Sequence, residues 1–591
     1  MSALITALDN NILTKTGENG HKEYTWSDDI REKICQLNFQ LVRTNESNII
    51  LLEKTLKELI INLVLTIKIQ NKSPLEKDLA RAYCTILYKM VGYTRDIIDG
   101  KGEYQLTYMM IYAWYEIDPE LAFFALKSMV QFDDKSVHPY GSWKDIKYFM
   151  NYFMNYCNIN KTIKDPYSHP LIKYCCRLIN DQLEFEANNT SEYSLVSKWV
   201  PREKSNKFGW IYETLACDYF KLYMSTANSE KSRTYAIKKC KTEYRKLISG
   251  LNRKIDTLQI NQCGQDWTNI NFNKVTSISL TKQKHAFMNV NQNGDTRFPD
   301  DKDRIKCASN FKEHIEKAIR GEVKLKGKRV GLNDFTKQAI ELISCDNKDD
   351  KWLQQCALLN YQWLDNGTQN GALGNFIAMV DVSGSMDGDP LHVAIALGIR
   401  IAEKSKLGKR VLTFSAYPMW VNLENKNDFY SMVQEVNKSN FGLNTNFYKA
   451  LDLILNAIIE SKLSPEDTQD MVLVILSDMQ IDEGDKCNKD VLYETMKKKY
   501  EETGIRVCGR GYKPPHILFW NLRSTSGFPG LSTQPNTSML SGFSPVLLNQ
   551  FCNEGLHALQ ALTPWALLEK SLSNERYTIL GDKILSFFSY N

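Results

Sequence analysis

Several things are missing from this 591-residue chain, and each absence narrows the reading. Its 14 cysteines form no CxxC pair and no His/Cys grouping at zinc spacing. The adjacent pair Cys175-Cys176 lies in a helical pattern and reads as core. No long hydrophobic run is present. The longest, Leu59 to Lys68, is broken by Asn62 and Thr66 and is too short to span a bilayer. The N-terminus (MSALITALDNNILTKTGENG) carries no secretory signal. The expectation is therefore reduced thiols, no membrane role, and a cytoplasmic or virion-associated protein rather than a secreted one. There is no strict internal repeat and no Walker A sequence.

What is present is ordinary in composition, with 43% hydrophobic and 24% charged residues, and too long for one core. The net charge is only +5, but it is unevenly spread. From Val196 to Lys254 there are 14 Lys/Arg against 5 Asp/Glu, and from Lys274 to Arg329 there are 14 against 7. A basic middle suits a polyanion partner or is a set of solvated helix faces. Within it, Lys198, Arg202 and Lys204 lie near Trp199, and Arg245 and Lys246 follow Tyr244; Arg253 and Lys254 extend the set. Such cations neutralise phosphates while aromatic rings stack on unpaired bases, so these seven are the candidate RNA contacts.

Residues 1–26 read as an extended arm. Residues 27–365 then read as helix after helix, including Ser27 to Arg43, Asn48 to Ile69, Pro74 to Met90, Tyr104 to Ile117, Asp118 to Phe132, Trp143 to Tyr156 and His169 to Ala187. Short Gly/Pro/Asp connections point to stacked helical pairs, a solenoid or a ring. The loop Thr94 to Glu103 contains Gly100 and Gly102, which suit either an anion cradle or a helix-joining turn.

Residues 366–374 read as a linker, after which the periodicity changes. Strand-like runs at 376–380, 410–415, 419–423, 471–477 and 516–522 alternate with helical stretches at 391–404, 428–437, 447–460 and 490–502. That order describes a doubly wound, mostly parallel α/β domain over 375–591, closed by helices at 546–552 and 565–573.

Its chemistry gathers at the end of the first strand. Phe376 to Val380 is apolar and runs into Asp381, Ser383, Gly384 and Ser385. Open α/β sheets bind ligands at the carboxyl ends of their strands. One carboxylate and two hydroxyls in a tight loop suit a hard, oxygen-seeking cation, Mg²⁺ before Mn²⁺ or Ca²⁺. A single short Asp/Ser loop is otherwise a turn or helix cap.

The D-x-S-x-S spacing resembles the metal-ion-dependent adhesion site (MIDAS) of von Willebrand factor A (vWA) domains. The resemblance implies two further ligands, a loop threonine and a strand-end aspartate. Thr445 and Asp478 stand at matching places. With the Tyr140 to Asp145 stretch, Trp267 to Phe287 and Ser541 to Ser544, the chain also resembles an uncharacterised family of plants, fungi and giant DNA viruses. That family joins a helical region to a C-terminal vWA domain, an architecture similar to the Ro (TROVE) RNA-binding proteins. The expectation is a non-enzymatic, monomeric binding protein. It would take structured or misfolded RNA on the helical region and a protein's acidic side chain on the metal site. The alternative is a protein–protein scaffold without nucleic acid. No nucleophile–base pair or second-metal carboxylate set is evident to support phosphoryl chemistry.

Overall fold

The computed structural model describes residues 14–590 apart from 18–19, 133–136, 161–164, 190–191, 292–293, 416, 439–446, 470, 481–490, 526 and 553–555. The chain divides into two compact units that cut across sequence order. The first comprises 1–103, 272–299 and 308–574, and the second 104–271, 300–307 and 575–591. The sequence division at 366–374 follows the change of periodicity, whereas these units follow contact.

The first unit opens with β1 (Thr14–Thr16) and β2 (Lys22–Tyr24), an antiparallel hairpin within the segment read as an arm. Its six-stranded sheet contains β3 (Phe376–Asp381), β4 (Arg410–Phe414), β5 (Met419–Asn422), β6 (Val472–Ser477), β7 (His516–Asn521) and β8 (Thr537–Ser541). The order is β5-β4-β3-β6-β7-β8. All neighbours are parallel except the β4–β5 edge pair. β3, β6 and β7 are buried at every position, which is why their sequences are apolar except at their ends. β5 exposes three of its four residues, as an edge strand does.

The Asp389–Lys404 helix crosses from β3 to β4 and lies tight on the sheet. A Cβ at Gly398 would stand 2.5 Å from Val380 Cγ2. On this helix the buried Arg400 stacks on Trp363 (3.7 Å to the ring centroid) and donates to Trp363 O at 3.1 Å and to Glu403 at 3.1 Å. Trp363 belongs to the Asp350–Gly367 helix and stacks in turn on Phe429 at 3.9 Å.

The carboxyl edge of the sheet is covered by the start of the chain. The Ile30–Gln40 helix, capped by Asp29, is buried along most of its length. Phe39 O accepts from Asn521 Nδ2 at 3.2 Å, and Asn38 O accepts from Ser541 Oγ at 3.0 Å. Gln40 Oε1 accepts from Thr525 N at 2.9 Å, and Tyr24 exchanges two backbone hydrogen bonds with Phe528. Lys101 is also drawn into this edge. Its ammonium donates to Ser541 Oγ at 2.6 Å and to Leu41 O at 3.1 Å. Burial pushes Lys101 down to about 7, against the opposing pull of Glu103.

The second unit is helical. Tyr104–Ile117 has nine buried residues in succession, Leu106 to Trp114. Its Tyr108 and Tyr112 meet Phe149, Tyr152, Phe153 and Tyr156 of the Trp143–Asn160 helix. Asp118 caps Pro119–Ser128 by accepting from Glu120 N at 2.8 Å. Pro170–Asn188, Val196–Trp199, Gly209–Tyr219 and Glu230–Lys254 follow. No described helix in either unit is long and apolar enough to cross a membrane.

Candidate metal centre

Two parallel neighbours, β3 and β6, end side by side and deliver Asp381 and Asp478 to one point. Asp381 Oδ1 accepts from Ser383 N at 2.9 Å, which ties the carboxylate to its own loop. Its Oδ2 accepts from Ser477 Oγ at 2.6 Å, across the strand pair. The hydroxyls of Ser383 and Ser385 lie 3.1 Å apart. Asp478 Oδ1 accepts from Gln480 N at 3.1 Å, while its Oδ2 has no partner among the described residues. The next residue, Met479, is held at φ 64°, in the left-handed region.

Both carboxylates are fully buried. Burial, then the nearby Asp478, pushes Asp381 up to about 7, although Ser383 and Ser477 pull the other way. Burial likewise raises Asp478, against Gln480 N, the Ser385 hydroxyl and the Arg523 guanidinium. Arg523 is exposed on the loop after β7 and donates to the Ser385 carbonyl.

These residues fit a hard divalent cation. Two buried anions repel each other, one oxygen is unsatisfied, and neutral hydroxyls complete the set. Among the described residues there is no group of three or more His, Cys, Asp and Glu side chains, so a zinc-type donor set is not present there. Of the five expected ligands, the structure brings together Asp381, Ser383, Ser385 and Asp478. Thr445 lies outside the described residues, as do Asp482, Glu483 and Asp485. Asp389 pairs instead with Arg43 at 3.6 Å.

Two family profiles match. One, described as a domain of unknown function (DUF7788), covers 375–573 and so spans β3 to β8. The other, also described as a domain of unknown function (DUF2828), covers 174–363. Uncharacterized protein L728 of Acanthamoeba polyphaga mimivirus is 27% identical over 483 residues, covering 79% of this chain and 76% of that protein. The chain is thus similar to uncharacterised sequences that include a giant-virus protein.

Charge counting did not foresee how the seven basic candidates are placed. Arg245 pairs with Glu203 at 2.5 Å and Lys246 with Glu243 at 2.8 Å. Tyr244, read beside them as a stacking ring, is buried and donates to Asn180 Oδ1 at 3.0 Å. Lys254 lies over the Tyr193 ring at 5.1 Å. Arg202, Lys204 and Arg253 are exposed, and Lys198 is half-buried, with its ammonium pulled down by burial. The Gly100–Gly102 loop is folded on itself, because Lys101 N donates to Tyr93 O and Glu103 N to Thr94 O. Those N–H groups are already spent, so the loop is a helix-joining turn and not an anion cradle.

Two residues escaped sequence reasoning. Ser477 is hidden as the last residue of an apolar strand. Arg523 follows β7 with no local motif, and only its position at a strand's carboxyl end could have pointed to it.

Proposed function

We propose that this chain is a non-enzymatic binding protein. Its first unit carries a vWA-like divalent-cation site that captures an acidic side chain of a protein partner. The observation that carries the reading is the fully buried Asp478 Oδ2, which lies beside Asp381 and has no partner among the described residues. Such an arrangement is unfavourable unless a positive ligand completes it. A bound Mg²⁺ would neutralise both carboxylates and leave a coordination position for an incoming carboxylate. Ser383 and Ser385 would supply neutral oxygens, so the two aspartates balance the ion's charge without filling its coordination sphere. Ser477 fixes the orientation of Asp381.

The experiment is calorimetric titration of the metal-stripped full chain with MgCl₂ and MnCl₂, alongside Asp381→Asn and Asp478→Asn. Saturable binding lost in both variants is expected. No binding by the unaltered chain overturns the cation reading and leaves a metal-free scaffold.

RNA binding by the helical region, in a Ro-like arrangement, is the second reading. It is favoured by a cluster of lysines on aromatic rings in the second unit, at residues largely outside the seven candidates.

A further inference from the structure

We propose that Lys147 and Lys207, together with the rings of Tyr148, Trp199 and Phe208, form a docking site for unpaired nucleotides of a single-stranded polynucleotide. The inference rests on the RNA reading above and gives it a location.

Three separate segments build the cluster. On the Trp143–Asn160 helix, Lys144, Lys147 and Tyr148 fall at i, i+3 and i+4 and share one face. The short Val196–Trp199 helix presents Trp199, and the turn before Gly209–Tyr219 presents Lys207 and Phe208. Lys147 Nζ lies 5.0 Å from the Phe208 ring centroid, 5.1 Å from Trp199 and 5.5 Å from Tyr148. Lys207 Nζ is 5.4 Å from Phe208 and 5.8 Å from Tyr148. Lys144 Nζ reaches Tyr148 at 5.1 Å and Trp199 at 5.7 Å. All three rings are half-buried and so partly open to solvent.

The nearest carboxylates in sequence are committed elsewhere. Asp145 accepts from Ser142 N at 2.8 Å and from the Tyr108 hydroxyl at 2.8 Å. Glu203 holds Arg245 and Lys241. Among the described residues neither Lys147 nor Lys207 has an ion pair. Burial and then Lys144 pull Lys147 down to about 8, a strain that an arriving anion relieves.

The composition indicates which anion. Phosphate groups on peptides are matched by the planar fork of arginine, whereas this cluster is built of lysines, which act as point charges. Ring faces beside point charges match a backbone phosphate with an unstacked base. Bases locked in a duplex do not reach half-buried rings. The competing account is that the lysine stems merely cover the rings.

The test uses the full chain and fluorescein-labelled oligo(U), oligo(dT) and duplex RNA, read by anisotropy across a salt titration. Lys147→Gln/Lys207→Gln is compared with Arg245→Gln/Lys246→Gln. The first pair should weaken oligo(U) binding by about tenfold or more and lower the log–log salt slope by about 1.4. The second pair should leave binding within about twofold. Comparable loss on oligo(dT) assigns the site to single strands generally; loss on oligo(U) alone restricts it to RNA, and both support it. Duplex bound as tightly as single strand overturns the inference. So does loss confined to the second pair, although RNA binding then stands. No binding by the unaltered chain overturns both. Should the first pair fail to fold, crosslinking of a 4-thiouridine oligonucleotide to the unaltered chain decides. Adducts at Tyr148, Trp199 or Phe208 support the site, and adducts only elsewhere overturn it.

Discussion

Ser477 Oγ donates to Asp381 Oδ2 at 2.6 Å, joining the last residues of two adjacent parallel strands at a point where the sheet buries a pair of carboxylates. The hydrogen bond holds Asp381 in place but does not neutralise it. Asp381 remains pushed up from 3.8 to about 7 by burial and by Asp478.

The pH dependence of the metal-free protein follows. A carboxyl group whose folded value is raised favours its protonated form in the fold. Its contribution is full below the unfolded value and is lost as pH rises through the folded one. At about 1.4 kcal/mol per unit, the loss is of the order of a few kcal/mol. In EDTA the melting temperature should fall between about pH 4 and about pH 7, and MgCl₂ should flatten the trend. Asp381→Asn should flatten it without metal. A flat profile for the unaltered chain in EDTA contradicts the assignment.

Arg523 places a positive charge beside Asp478 and so competes with a cation for the same field. Arg523→Gln should tighten Mn²⁺ binding by about two- to tenfold at low salt, with the gain fading as salt screens the exposed guanidinium. Electron paramagnetic resonance of free Mn²⁺ measures this directly. Unchanged affinity at low salt would mean that Arg523 only braces the Ser385 loop.

Arg400 joins two helices over one face of the sheet and is nearly solvent-free, its guanidinium pushed down to about 10 by burial. Removing it leaves Trp363 O and Asn366 Oδ1 without their donor and Glu403 without its cation. Arg400→Ala should cost about 3–5 kcal/mol in urea denaturation. Arg400→Lys should recover less than half, because an ammonium neither stacks on Trp363 nor reaches all three acceptors.

The region matched by the first family profile, 375–573, omits the segment that covers the sheet's carboxyl edge. A fragment spanning 375–591 should therefore lack a cooperative melting transition by circular dichroism and bind hydrophobic dye. It would leave Ser541 and Asn521 without Asn38 O and Phe39 O, and Ser532 N without Glu32. A sharp, dye-free transition from this fragment would show that the N-terminal helix is dispensable.

Much of this was legible in the sequence where one local pattern settles the outcome. β3 and β6 are apolar on both faces because both faces are covered, and each runs into an aspartate at or just past its end. The long helices carry their caps and periodicity openly. β8 was missed because its sequence, Thr-Ser-Met-Leu-Ser, is buried yet mostly hydroxylic. Thr537 Oγ1 donates to Gln534 O at 2.8 Å, and Ser541 is satisfied by the N-terminal helix, so polarity there does not mean exposure. Lys101 between two glycines reads as a solvated loop, and its burial depends on Ser541, 440 residues away. The basic middle misled in another way. A count of cations cannot see that Glu203 neutralises Arg245, while Lys147, before the basic stretch, stands among three rings.

The bond between Asn38 O and Ser541 Oγ spans 503 residues. On a ribosome adding about 5–20 residues each second, the helix holding Ile34, Leu37 and Phe39 emerges roughly half a minute to two minutes before β8 is made. During that interval its apolar side has no sheet to rest on, and the newborn chain must be shielded or held back by its neighbours. The first unit is therefore completed from two distant parts of the message, and an early stop codon anywhere upstream of β8 leaves the Ile30–Gln40 helix without the surface it was made to cover.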